Sequence, residues 1–157
     1  MTPDETFMRR AIELAQKGVD ENVGGPFGCV VVKDGKIIGE GSNQVTSTND
    51  PTAHAEVVAV REACRNLDSF QLTGCTVYTS CEPCPMCLGA IYWARPAAIF
   101  FAATSDDAAA AGFDDDVFYS ELEKPNDQRQ LKMESLLREE SQKVFQNWVE
   151  KPDKIEY

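Results

Sequence analysis

Between residues 5 and 17, apolar side chains fall at Phe7, Met8, Ala11, Ile12, Leu14 and Ala15. Steps of three and four residues predict an amphipathic helix, with Gly18 as its stop. Pro26 and the glycines around it predict a loop. Cys29-Val30-Val31-Val32 then reads as a short apolar strand. Asp34-Gly35 is a hairpin-turn pair, and Ile37-Ile38 opens the return strand. Residues 41–51 are polar and loop-like. A second helix runs to about Asn66, capped by Thr48 or Thr52, with Val57, Val58, Val60 and Ala63 as its apolar positions. Thr76-Val77-Tyr78-Thr79 has strand composition. Cys84 to Ala94 reads as a helix halted before Pro96. Ala98 to Ala102 is another buried strand, and Asp106 caps a short Ala-rich helix ending at Gly112. The remainder reads as loop, a short strand near Leu131, and a helix from about Met133 to Trp148. A hairpin followed by β-α-β alternation implies an α/β fold: a mixed sheet with helices on both faces.

Composition keeps this picture ordinary. The chain has 157 residues, 43% of them hydrophobic and 26% charged, as in a single globular domain with its own core. No linker or internal repeat divides residues 1–157. No apolar run approaches the roughly 20 residues of a membrane span. The acidic opening, Met1-Thr2-Pro3-Asp4-Glu5, matches neither a signal nor a transit peptide, so the expected address is cytoplasmic. Charge narrows the partners further. Fifteen Lys and Arg against 26 Asp and Glu leave a net charge of −11. Such a chain repels phosphate backbones, and its cationic pairs (Lys33/Lys36, Arg61/Arg65, Lys151/Lys154) are scattered among acids. Neither nucleic acid nor a membrane is the expected partner; a small neutral molecule is.

Six cysteines occur, and three of them, Cys81, Cys84 and Cys87, crowd into seven residues. In a reducing compartment such a cluster reads as metal-binding or catalytic. Cys84 and Cys87 open one predicted helix, and His54, the single histidine, opens another. A Cys-x-x-Cys at a helix start favours thiolates. Two thiolates and a neutral imidazole suit Zn²⁺ and leave its fourth position open, the arrangement that activates water. Glu56 lies about 200° around a regular helix from His54, so it is not a ligand beside it. It is placed instead to move a proton. Three other readings are weaker: a closed zinc site that adds Cys81; an iron–sulfur site, although Ile91 stands where the fourth cysteine of a ferredoxin run belongs; and a thioredoxin-like dithiol, which leaves the Pro-Cys-Pro-Met-Cys context and the remote His-x-Glu unexplained. His-x-Glu followed by Pro-Cys-x-x-Cys is the general zinc-deaminase pattern, and both halves are present.

With these motifs the chain resembles the cytidine-deaminase-like superfamily of zinc-dependent nucleobase deaminases. The resemblance spans nearly the whole chain. Its carriers are Gly24-Gly25-Pro26-Phe27-Gly28, Asp50-Pro51-Thr52-Ala53-His54-Ala55-Glu56, the stretch from Ser80 to Pro96, and Gly112-Phe113-Asp114-Asp115. It implies a three-layer α/β/α sandwich around a central five-stranded mixed sheet. It also implies one zinc per subunit held by His54, Cys84 and Cys87, with Glu56 as proton shuttle. The guanine-deaminating branch is the most similar, which implies hydrolysis of guanine to xanthine and ammonia. A branch acting on guanosine shares the motifs, and a non-catalytic zinc module is the alternative from another class.

The remaining candidates carry a functional and a plain reading side by side. Asp114 and Asp115 are acids beside the expected pocket, or the cap and first turn of a helix; the resemblance implies that Asp115 contacts the substrate and assists proton transfer. Asn43 offers an amide to a purine edge, or serves a turn. Phe27 stacks on a base, or fills a loop. Ala55 presents a backbone N–H at a helix start, where a carbonyl oxygen binds. Trp93 packs in the core by default; the resemblance implies that it borders a subunit interface and reaches the partner's site. The tail 151–157 frays by default. The resemblance implies a homodimer that exchanges it, with Tyr157 closing the partner's pocket as a lid.

Overall fold

The computed structural model describes residues 2–157. They form two compact units, one ending at Asp115 and the other spanning Asp116–Tyr157.

The first unit is built on a hairpin. Strands β1 (Gly28–Lys33) and β2 (Lys36–Ser42) pair antiparallel around Asp34 and Gly35. Both turn residues have positive φ, 49° and 72°, the conformation that lets a two-residue turn follow the strand twist. Helix α1 (Glu5–Asp20) precedes the hairpin, and Asp4 caps it by accepting from the Thr6 N–H. The predicted stop at Gly18 is not one. The helix runs on to Asp20, and Gly18 is buried where an added Cβ would stand 3.5 Å from the Ser42 Cβ. Gly18 lies inside the helix, and the space beside it would admit a methyl group at ordinary contact distance.

After β2 come a single-turn helix, α2 (Val45–Thr48), and α3 (Ala55–Leu67). Strand β3 (Thr76–Cys81), helix α4 (Pro85–Ala94) and strand β4 (Ala98–Ala103) complete a β-α-β unit. The sheet order is β2-β1-β3-β4; β1 and β3 are antiparallel, β3 and β4 parallel. The sheet is mixed, as expected, but among the described residues it has four strands and not five.

Alternation along the strands divides the core. Val30, Val32 and Tyr78 face α1, packing with Phe7, Met8 and Leu14. Cys29, Val31 and Val77 face α3 and α4, packing with Ala55, Ala59, Ala63, Ile91 and Ala94. Small residues on α3 let it lie close to β2: an added Cβ at Gly39 would stand 2.4 Å from the Ala59 carbonyl oxygen. The buried side of α3 is therefore its alanines, while Val57, Val58 and Val60 are only half-buried. Helix α5 (Ser105–Ala110) closes the unit, capped by Thr104 in a reciprocal box with Asp107 rather than by Asp106.

The second unit holds α6 (Asp116–Glu123), a 3-10 turn at Asn126–Gln128 and α7 (Arg138–Glu150). Arg129 ends α6 by donating to the carbonyls of Glu121 (3.0 Å) and Lys124 (3.2 Å). Helix α6 lies where the pattern reads as loop, and α7 starts at Arg138 rather than near Met133. No strand forms at Leu131. A strand needs a paired edge, and this unit contains no other strand to supply one.

Candidate active site

Two helix starts meet beneath the site. Asp50 shapes the approach to the first: its Oδ1 accepts from the Thr52 N–H at 2.8 Å and the Thr52 hydroxyl at 2.7 Å. The chain then reaches His54, which is extended at the N-cap of α3, with its side chain uninvolved in capping. At the second start, Cys84 is the N-cap of α4 and Pro85 follows at the first turn, where a missing N–H costs nothing. Cys87 is one turn further in, fully buried.

The side chains converge. His54 Nδ1 lies 3.5 Å from Cys84 Sγ and 3.4 Å from Cys87 Sγ. All three ligand atoms lie within 4.8 Å of one another. Tetrahedral zinc with its usual bond lengths would set nitrogen and sulfur about 3.6 Å apart, so the spacing fits that ion. The protonation state fits too. The Cys87 thiol donates to Cys84, which brings Cys84 down to about 4; burial opposes this and His54 adds to it. The same bond, with burial, holds the proton on Cys87 and raises it. Cys84 also raises His54. A cluster that keeps one thiolate and shares one proton is poised to exchange that proton for a divalent cation.

Cys81 is not one of the converging donors among the described residues. Its thiol donates to the Thr104 carbonyl at 3.6 Å, and burial raises it to about 11. The four-ligand reading with Cys81 therefore has no geometric support. Among the described residues the converging donors are His54, Cys84 and Cys87.

Glu56, in the first turn of α3, is 6% exposed. Burial is the main cause of its raised pKa, and it is close enough to exchange a hydrogen bond with Cys87. A buried carboxylate next to a metal-ligand cluster, with its affinity for a proton raised, is suited to proton transfer.

The other candidates are placed more variously. Asn43 is buried, and its Oδ1 accepts from the backbone N–H groups of Val45 (3.1 Å) and Gly25 (3.3 Å). Those bonds fix the amide and turn its nitrogen into the available donor. Gly24 is required there: an added Cβ would stand 2.1 Å from the Asn43 carbonyl oxygen. Phe27 is half-buried and meets Phe113 edge-to-face, with centroids 5.0 Å apart. Ala55 is fully buried at the start of α3. Asp115 is half-buried, and its charge reaches the Cys81 thiol; Asp114 is exposed. Trp93 on α4 is 62% exposed, and Tyr157 at the end of the second unit is 70% exposed.

The pattern of the chain did not single out Thr79 or Phe113 as individual site residues. Thr79 is 1% exposed and donates to Glu56 Oε1 at 3.2 Å. Its signal was present: a hydroxyl in an all-buried strand needs a partner.

Residues 1–103 match the family model described as the cytidine and deoxycytidylate deaminase zinc-binding region. The chain belongs to this zinc-dependent deaminase family. Within it, the chain is 56% identical to a guanine deaminase of Bacillus subtilis over 153 residues, 98% of each protein. It superposes on the X-ray structure of a B. subtilis guanine deaminase with a TM-score of 0.96, at 55% identity over 99% of both chains. A solved complex with 2,6-diaminopurine is more distant, with a TM-score of 0.69 and 35% identity over 73% of this chain and 64% of that one. A tRNA-specific adenosine deaminase of Buchnera aphidicola is 38% identical over 146 residues, 92% of this deaminase and 93% of its relative.

Proposed function

We propose that this deaminase hydrolyses guanine to xanthine and ammonia, with zinc held by His54, Cys84 and Cys87 and with Glu56 as the proton carrier. The observation that carries the reading is the buried Glu56 carboxylate beside a three-donor cluster, in a chain aligned end to end with a guanine deaminase. When bound, zinc supplies a Lewis acid that lets water lose a proton near neutral pH. Glu56 accepts that proton as the water oxygen bonds to C2 of the base. It passes that proton to the ring nitrogen, then takes the remaining proton from the new hydroxyl on C2 and gives it to the amine, so that C2=O forms as the C2–N bond breaks and ammonia leaves. Asn43 donates from its amide nitrogen to the purine edge, and the Ala55 N–H meets a carbonyl oxygen. Phe27 stacks on the ring. Asp115 contacts the substrate and assists the second proton transfer, with Asp114 beside it.

The same reading covers assembly. Helix α7 buries no residue, and its Val144, Phe145 and Val149 are each about two-thirds exposed. Tyr92 and Trp93 on α4 are exposed as well. Apolar surface of that kind calls for a protein partner. Residues 1–157 act as one deaminase domain in a homodimer that exchanges residues 151–157. Tyr157 closes the partner's pocket, and Trp93 borders it.

The test is ammonia release from guanine, guanosine and an adenosine-containing tRNA, by zinc-loaded and metal-stripped protein. Zinc-dependent release from guanine alone is expected. Release from guanosine instead would shift the substrate to the nucleoside. Release from tRNA would overturn the argument from a net charge of −11. Light scattering reads the dimer. Deleting residues 151–157 is expected to cut turnover, and unchanged turnover would sink the lid.

A further inference from the structure

We propose that Thr79 is a positioning residue for Glu56, holding one oxygen of the proton-carrying carboxylate in place; the inference rests on the role proposed for Glu56 above. Thr79 sits in the interior of the sheet. On β3 it is opposite Cys29 of β1 on one side and Phe101 of β4 on the other, so its backbone is fixed from both edges. Its side chain is 1% exposed and points to the face where α3 packs, in step with Val77. The hydroxyl carries one hydrogen and has two acceptors in reach: Glu56 Oε1 at 3.2 Å and the Cys81 carbonyl oxygen at 3.1 Å.

Both acceptors belong to the active site's supports. Glu56 comes from the first turn of α3, and Cys81 ends the strand that runs into Glu82-Pro83-Cys84. The single hydrogen serves one acceptor at a time: turned to Glu56 it holds the ionised carboxylate, and turned to the Cys81 carbonyl it leaves the hydroxyl oxygen to accept from a protonated Glu56. Holding Oε1 leaves the other carboxylate oxygen to face the reacting atoms. It also removes a side-chain rotation that would have to be frozen at each turnover. The second acceptor gives the hydroxyl somewhere to turn, so its hydrogen stays bonded whichever oxygen it serves.

The experiment compares Thr79→Val, which keeps the shape and removes the hydroxyl, with Thr79→Ser, which keeps the hydroxyl. Steady-state kinetics on guanine, zinc content and crystal structures are measured for zinc-loaded wild type and both variants. A small misplacement of a catalytic group is enough to cost up to about 100-fold in rate. Thr79→Val is expected to lose about 10-fold in kcat with KM within about 2-fold and zinc retained, and Thr79→Ser to recover most of that loss. Unchanged kcat in Thr79→Val, or an equal loss in Thr79→Ser, would overturn the proposal. Loss of zinc in Thr79→Val would overturn it too, in favour of a general structural role. The crystal structures read the proposal without turnover. A Glu56 carboxylate that rotates away in Thr79→Val and returns in Thr79→Ser supports it; one that superposes on wild type in all three overturns it. Absence of guanine turnover by wild type overturns the functional reading alone.

Discussion

His54 Nδ1 and Cys87 Sγ stand 3.4 Å apart across 33 residues of sequence. Neither is placed by its neighbours in the chain. Each is delivered by the start of a helix, and the two helices pack on the same face of the sheet. The separation is a zinc-ligand separation, so removal of either side chain should cost the metal. Cys87→Ser is expected to purify with less than about a tenth of the wild-type zinc, because an alcohol is a far weaker ligand than a thiolate. Bound metal stabilises the folded state alone, by about 2.7 kcal/mol when it stands at 100 times its Kd. The variant should therefore melt at the temperature of chelator-treated wild type. Metal analysis and calorimetry check this; full zinc occupancy would remove Cys87 from the ligand set.

This centre was legible in the sequence because its chemistry is short-range. His-x-Glu and Cys-x-x-Cys each lie within one helical turn, and helix starts can be recognised from Pro85 and from the polar run before His54. The first unit was legible for a related reason: its strands are apolar runs bounded by turn signals. The departures there are local. Gly18 looks like a stop, but the helix runs two residues past it, and Thr104 rather than Asp106 caps α5. The second unit was poorly legible because α6 and α7 bury no residue, so no stripe of core-facing positions marks where they begin and end. Thr79 escaped because a strand threonine looks like ordinary β composition until burial isolates its hydroxyl.

Glu56→Gln separates the proton carrier from the metal. The amide keeps the shape but accepts no proton from water, and the loss expected for a missing general base is about 10²- to 10⁴-fold in kcat. Zinc content should be unchanged, since Glu56 is not among the three converging donors. Kinetics together with metal analysis check both halves. Loss of zinc in this variant would make Glu56 part of the metal site rather than the carrier.

Asn43→Asp tests the amide's orientation. The remaining oxygen can still accept from Gly25 and Val45, so the loop should hold. The donor nitrogen, however, is replaced by an anionic oxygen. A buried donor turned into an acceptor costs a substrate contact about 1–3 kcal/mol, roughly 5- to 150-fold in kcat/KM. The expected result is that loss with the melting temperature nearly unchanged. A large fall in stability with normal kinetics would assign Asn43 to the turn.

Gly39→Ala tests how α3 is seated. The added methyl would meet the Ala59 carbonyl oxygen at 2.4 Å and the Ala63 nitrogen at 2.7 Å. Both are backbone atoms, so helix and strand must separate. Overpacking of that kind costs about 1–3 kcal/mol. Because α3 carries Glu56, activity should fall along with stability. Denaturant unfolding measures the first effect and turnover the second.

The last prediction concerns pH and lies away from the site. Arg10 grips Glu40 with two bonds, Nε to Oε1 at 2.7 Å and Nη2 to Oε2 at 2.9 Å, joining α1 to β2. The hydrogen bonds from Arg10 hold the Glu40 carboxyl below its ordinary value of 4.5, against the effect of burial. A carboxyl depressed in the folded state releases its proton more readily there than in the unfolded chain. Its contribution is complete above the unfolded value and disappears as pH falls through the folded one. The Arg10 side chain is 40% exposed and that of Glu40 33%, so solvent screening limits the pair to about 0.5 kcal/mol. Glu40→Gln should therefore be less stable than wild type by about that amount at pH 7. The gap should narrow below pH 4.5 and close in stronger acid, and high salt should shrink it at every pH. Urea unfolding of both proteins across that range measures it. A gap that stays constant with pH would assign the contribution of Glu40 to packing rather than to its charge.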